Sequence, residues 1–76
     1  MVKAYVMVKA NTGEADRLKN AIEEIEGVNE AHIVAGDVDI IAKLSVDSPA
    51  QVKVISADGI QGISGVEDTR TYIAMD

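Results

Sequence analysis

The residues best suited to binding chemistry sit near the middle of the 76-residue chain, in Ala35-Gly36-Asp37-Val38-Asp39-Ile40-Ile41. Gly36 permits positive φ and lets a ligand or another backbone come close. Asp37 and Asp39, on either side of Val38, tolerate turn geometry and can bond neighbouring N–H groups. Two readings stand side by side. One is a tight acidic connection between strands, since Gly-Asp is a common hairpin signal; the other is a ligand loop. Other reactive side chains are sparse. His32 is the single histidine, and without several carboxylates beside it there is no zinc site; a lone histidine on a strand is more often packed or exposed than catalytic. Glu23, Glu24 and Glu26 read as a wet helix face, because no further ligands converge on them in sequence. Cysteine is absent, which excludes a disulfide framework and thiolate metal sites. No metal, no cofactor and no catalytic residue are expected.

Something must position that central turn, and length and composition limit what it can be. A chain of 76 residues has room for one domain, spanning 1–76. The apolar fraction is 47%, yet the aromatics are only Tyr5 and Tyr72, so Val, Ile, Leu and Ala must build the core. Chains this short rarely bury enough surface alone. Without disulfide or metal, self-association is the remaining support, and a homo-oligomer is expected. The net charge of −6 argues against direct nucleic-acid binding and against an anionic membrane surface. A small cationic or zwitterionic ligand stays open. The N-terminal Met1-Val2-Lys3-Ala4-Tyr5 lacks a signal-peptide pattern and no apolar run approaches about 18 residues. A cytoplasmic location is expected, with which cysteine absence agrees.

Periodicity divides the chain into six elements. Val2, Ala4, Val6 and Val8 alternate with Lys3, Tyr5, Met7 and Lys9, predicting a strand whose second face carries apolar Tyr5 and Met7. Asn11 or Thr12 can cap a helix, with Glu14 three residues after Asn11 as a capping box requires. Ala15, Leu18, Ile22 and Ile25 form its buried stripe, and Gly27 ends it. Val28 to Ala35 reads as a second strand and Val38 to Val46 as a third. Ser48, Pro49 and Gln51 start a second helix, with Val52, Ile55, Ile60 and Ile63 facing inward and Asp58-Gly59 ending or loosening it. Gly65-Val66 opens the last strand, which runs through Ala74. Whether Thr69, Thr71 and Ile73 or Arg70, Tyr72 and Ala74 face the helices is left open. Ile25-Glu26-Gly27-Val28 returns as Ile63-Ser64-Gly65-Val66, half a chain later. Two strand-helix-strand halves give an α+β, ferredoxin-like β-α-β-β-α-β fold: a four-stranded antiparallel sheet with two helices on one face. The open face, with Tyr5, Met7 and Ile41, is then the surface for self-association.

Three stretches together resemble the effector-binding domain of the Lrp/AsnC (feast/famine) regulators, over essentially the whole length. They are Ile25-Glu26-Gly27-Val28-Asn29-Glu30-Ala31, Gly36-Asp37-Val38-Asp39-Ile40-Ile41, and Ile63-Ser64-Gly65-Val66-Glu67-Asp68-Thr69-Arg70-Thr71-Tyr72-Ile73. The second is similar to the family's Gly-x-aromatic-Asp turn, except that Val38 stands at the aromatic position. The third is similar to its Gly-Val-x-x-Thr-x-Thr closing strand. The family's N-terminal helix-turn-helix has no counterpart in these residues, so DNA binding by that route is not expected.

The resemblance implies a dimeric α+β barrel type of assembly, in which dimers form through the sheet face and build octamer-like rings. It implies an amino acid effector bound between dimers, with Gly36, Asp37, Val38, Asp39, Thr69 and Thr71 as the ligand-binding candidates. It also implies mixed assembly with DNA-binding Lrp/AsnC proteins. A zwitterion needs donors for its carboxylate and acceptors for its ammonium. Turn N–H groups near Gly36 and the threonine hydroxyls suit the first role, Asp37 or Asp39 the second. Arg70 is either a carboxylate clamp or one half of a surface ion pair. Three alternatives remain: a small enzyme of the same barrel type, a ligand-free structural adaptor, and an ACT-like amino-acid module.

Overall fold

Strict alternation of apolar residues sets the two central strands. In the computed structural model, which describes residues 1–76, β1 (Val2–Ala10) buries Ala4, Val6 and Val8 completely, and β3 (Ile40–Val46) buries Ile40, Ala42, Leu44 and Val46. They pair antiparallel, Val6 opposite Ala42 and Met7 opposite Ile41. The edges are β2 (Val28–Ile33), beside β3, and β4 (Val66–Ile73), beside β1, giving the order β2-β3-β1-β4. The helices α1 (Ala15–Glu23) and α2 (Pro49–Lys53) cover one face, where Leu18, Ile22, Val52 and Ile55 join the strand residues in one core. This is the expected ferredoxin-like arrangement.

The internal repeat is structural. Gly27 and Gly65 both take positive φ, 99° and 104°. Around each the same bonds form: Val28 N–H donates to the Ile25 carbonyl at 3.1 Å, and Val66 N–H to the Ile63 carbonyl at 3.2 Å. Each turn carries the chain from a helix into an edge strand.

Local details differ from expectation where side chains found other partners. The α1 capping box does not form. Glu14 is itself the N-cap and makes no side-chain cap bond; its carboxylate accepts from Arg17 Nε at 2.9 Å. Gln51 does reach back, but to the Asp47 N–H at 2.8 Å and not to Ser48. Beyond Lys53, α2 widens into a π-helical stretch, Val54–Ile60, with Gln61 N–H donating to the Ser56 carbonyl five residues back. Bonding at that spacing aligns residues five apart, which is how Ile55 and Ile60 both reach the core. Asp58-Gly59 therefore loosens the helix without ending it.

Register settles the last strand. Thr69, Thr71 and Ile73 lie opposite Val8, Val6 and Ala4, so they share the helix side. Arg70 and Tyr72, opposite Met7 and Tyr5, share the open side. At the other edge, the Ala31 N–H donates to Glu23 Oε2 at 3.4 Å. The Lys19 ammonium, first of all, and this backbone bond hold the Glu23 carboxyl below its ordinary range.

Replacing Gly27 is expected to strain the fold. A Cβ there would lie 2.6 Å from Ile55 Cδ1, on a backbone that disfavours L side chains. Gly27→Ala should lower stability by about 1–3 kcal/mol in urea unfolding.

Candidate functional site

The connection between β2 and β3 is broader than a two-residue hairpin: residues 34–39 lie outside both strands. Asp39 secures it. Its carbonyl accepts from the Val34 N–H at 2.8 Å, closing the loop. Its own N–H donates to the Val8 carbonyl at 3.0 Å, and its Oδ2 accepts from the Ala10 N–H at 2.8 Å. One aspartate thus fastens the loop to β1 through both backbone and side chain. Gly36 sits at the free tip with φ 153° and no atom within 4 Å of where a Cβ would be. A ligand or a second copy can approach that backbone closely.

Beside this loop, at one end of the open sheet face, is a depression of about 350 Å³ lined by Met7, Lys9, Asp37, Val38, Asp68, Thr69, Arg70 and Tyr72. Three elements build it: β1 supplies Met7 and Lys9, the loop supplies Asp37 and Val38, and β4 supplies the rest. Its charges are mixed, with cationic Lys9 and Arg70 and anionic Asp37 and Asp68. The Lys9 ammonium reaches the Asp37 carbonyl at 3.5 Å. Asp68 Oδ1 accepts from the Thr69 N–H at 2.9 Å, and Thr69 Oγ1 accepts from Gln61 Nε2 at 2.6 Å. Arg70 makes no ion pair and no side-chain hydrogen bond within the chain. Paired opposite charges around a small concavity are what the carboxylate and ammonium of a zwitterion require.

The six candidates do not converge on one cavity within a single chain. Asp37, Val38 and Thr69 border the depression just described. Asp39 borders a neighbouring, larger one of about 690 Å³ with Asn11, Thr12 and Gly13. Thr71 lies on the helix side, in a cleft of about 280 Å³ beside Val52, Ser56 and Ile73. Gly36 borders none of these. The structure adds Lys9, Asp68 and Tyr72, which sequence reasoning did not reach as ligand groups. For Lys9 the available signal is its place on the second face of β1; for Asp68 and Tyr72 it is proximity to Thr69, readable only once the register is known. No three His, Cys, Asp or Glu side chains are gathered closely enough to hold a metal ion.

Comparison with known proteins adds a family. Residues 3–76 match the model of the Lrp/AsnC ligand binding domain. The leucine-responsive regulatory protein of Escherichia coli K12 is 29% identical over 75 residues, which is 95% of this chain but 46% of that protein; the chain spans about half the length of the curated relatives it matches. Among solved structures, TTHA0845 from Thermus thermophilus superposes with a TM-score of 0.96 at 28% identity, covering 100% of this chain and 95% of that one. The transcriptional regulator NMB0573 of Neisseria meningitidis, solved in complex with L-Met, superposes with a TM-score of 0.84 at 13% identity over 99% of this chain and 50% of its own. That last likeness is one of fold.

Asp39→Ala should loosen the loop on β1, leaving only its backbone bond to Val8. The expected cost is about 1–3 kcal/mol, as for a lost bond to a charged acceptor. Amide hydrogen exchange should speed up at Ala10, whose N–H loses its acceptor.

Proposed function

The chain belongs to the Lrp/AsnC ligand binding domain family, and on that premise we propose that it is a non-catalytic regulatory module that binds a free amino acid and works as an assembly of its own copies. One observation carries the ligand class: Lys9 and Arg70 line the same depression as Asp37 and Asp68, next to a loop with an exposed glycine backbone. The effector carboxylate would take Lys9, Arg70 and the N–H groups near Gly36. Its ammonium would take Asp37 or Asp68. Val38 would bound the ligand side chain, and the smaller valine leaves more room than an aromatic residue at that place. Asp39 would hold the loop in shape. Thr69 would stand at the rim, its hydroxyl already engaged by Gln61. Thr71, on the helix side of the sheet, would enter a complete site only where a neighbouring copy contributes. The bound L-Met of the Neisseria regulator is a property of that protein; it supports the choice of amino acids as the class to try first.

The assembly would form through the sheet face. Tyr5, Met7, Ile41 and Lys43 are only half buried there, and nothing in the chain covers them. Mixed assembly with DNA-binding relatives would give the module an output on transcription, in which this chain carries the effector and the partner carries the DNA contacts.

Isothermal titration against each of the twenty amino acids tests the ligand class. One or a few should bind, and Asp37→Ala should weaken binding by about ten- to a hundredfold, the effect of losing one charge-assisted bond. If no amino acid binds, the ligand class is wrong; if Asp37→Ala, Asp39→Ala and Thr71→Val all bind as the parent does, the site is elsewhere. For the assembly, Met7→Asp places a charge in the middle of the proposed interface. It should convert an oligomer into monomers by sedimentation velocity while leaving the far-ultraviolet circular dichroism of the fold unchanged.

A further inference from the structure

The helix layer does not reach evenly across the sheet. α2 packs chiefly on β3, and its π-helical continuation is what meets β4. Where that continuation ends, Gln61 Nε2 donates to Thr69 Oγ1 at 2.6 Å and ties the layer to the strand. Two residues further along the same side of β4, Thr71 has no such tie, and Ile73 is left 40% exposed. The gap is the cleft of about 280 Å³ lined by Pro49, Val52, Lys53, Ser56, Thr71 and Ile73.

Its lining differs in kind from that of the depression on the open face. No carboxylate borders it, in a chain of net charge −6. The one charged group is Lys53, which makes no ion pair within the chain. Ser56 is the one polar residue among the buried ones. Its Oγ donates to the Lys53 carbonyl at 3.3 Å, long for a bond between oxygens, which usually spans about 2.7–2.8 Å. That O–H can turn to a stronger acceptor, and a carboxylate is one. Pro49, Val52 and Ile73 supply hydrocarbon. The π-helical stretch begins one residue after Lys53 and includes Ser56; such stretches are rare and recur at functional sites. An ammonium has no carboxylate to receive it here and would face Lys53, so the zwitterion chemistry of the open face does not carry over.

We propose that this cleft is a separate binding site for a small aliphatic monocarboxylate. Lys53 and the hydroxyls of Ser56 and Thr71 hold the carboxylate, and Pro49, Val52 and Ile73 enclose the hydrocarbon. The volume is just under the ~300 Å³ at which small-molecule pockets begin, so the occupant has only a few carbons. The proposal does not rest on the amino acid reading. The two cavities lie on opposite faces of the sheet, one with charges of both signs and one with a cation alone.

Three probes that share a branched skeleton test the head group: isovalerate, L-valine, and isobutylamine, which lack respectively the ammonium, nothing, and the carboxylate of valine. Amide chemical shifts followed through each titration report where each binds. Isovalerate should shift the amides of Val52, Lys53, Ser56, Thr71 and Ile73 and saturate in the millimolar range. Isobutylamine should leave them in place, and L-valine should move them only at higher concentration. Acetate, with three fewer carbons to bury, should bind about tenfold or more weakly than isovalerate. Lys53→Met should weaken isovalerate binding by about tenfold or more, and Lys53→Arg should stay within about threefold of the parent. Lys53 is exposed, and circular dichroism confirms that both variants keep the fold. The proposal is overturned if isovalerate shifts centre on residues 36–39 and Arg70, if no shift saturates at tens of millimolar, or if Lys53→Met binds as the parent does. Acetate binding as well as isovalerate also overturns it, since that is bare ion pairing at a surface lysine. Calorimetric binding of amino acids at the open face is read separately, so either reading can fail while the other stands.

Discussion

Everything in this structure depends on a backbone bend made twice. At Gly27 and again at Gly65 the chain leaves a helix with positive φ and enters an edge strand. Each bend lets the chain turn directly from a helix into an edge strand, so that α1 lies over β2 and β3, and α2 with its π-helical continuation lies over β3 and β4. The two crossovers share the same right hand, so both helices land on the same side of the sheet. That single-sidedness leaves β1 and β3 with one dry face and one open one. Neither turn has slack. At Gly27 the side of Ile55 closes in, and at Gly65 the Arg17 guanidinium occupies the space a side chain would need while donating to the Ser64 carbonyl at 2.6 Å.

Much of this was legible because period-two alternation and glycine punctuation are strong local signals. The buried sides of β1 and β3, the element order and the repeat all follow from residues next to one another. What was not legible depended on partners that spacing alone does not identify. Glu14 has the right spacing for a capping box, but Arg17 within the same helix competes for its carboxylate. The π-helical stretch after Lys53 follows from the need to seat Ile55 and Ile60 together, a tertiary demand that propensity does not record. The last strand carries threonines on one side and Arg70 with Tyr72 on the other, and neither set is apolar enough to announce its direction. Pairing with Val6 and Val8 decides it.

The candidate site was legible in part for the same reason. The loop with Gly36, Asp37, Val38 and Asp39 is visible as a break between two apolar runs. The division of labour within it is not. Asp37 borders the open depression, whereas Asp39 is tied into the scaffold by the Ala10 N–H, and sequence alone presents them as equivalent. The opposing residues on β1 and β4 become neighbours of the loop only through the sheet. Thr69 and Thr71 illustrate the limit of reading along one chain: they flank Arg70 in sequence, yet the pleat sends them to the other face of the strand.

The uneven distribution of charge has a colloidal consequence. Four of the seven cationic side chains, Lys3, Lys9, Lys43 and Arg70, lie on the open sheet face, in a chain of net charge −6. Among the carboxylates, Glu30, Asp37 and Asp68 are near them. Pairing the sheet faces would withdraw those cations from solvent. It would leave an outer shell that includes Glu24, Glu26, Asp47 and Asp58, with Arg17, Lys19 and Lys53 as its lysines and arginines. Such a particle would keep the net charge of its chains, −6 each, while presenting mostly carboxylates at its outer surface. It would repel other particles of its kind at low ionic strength, and added salt would relieve that repulsion beyond a screening length of about 10 Å at 0.1 M. Growth beyond the paired state would have to overcome that repulsion and would depend on ionic strength accordingly.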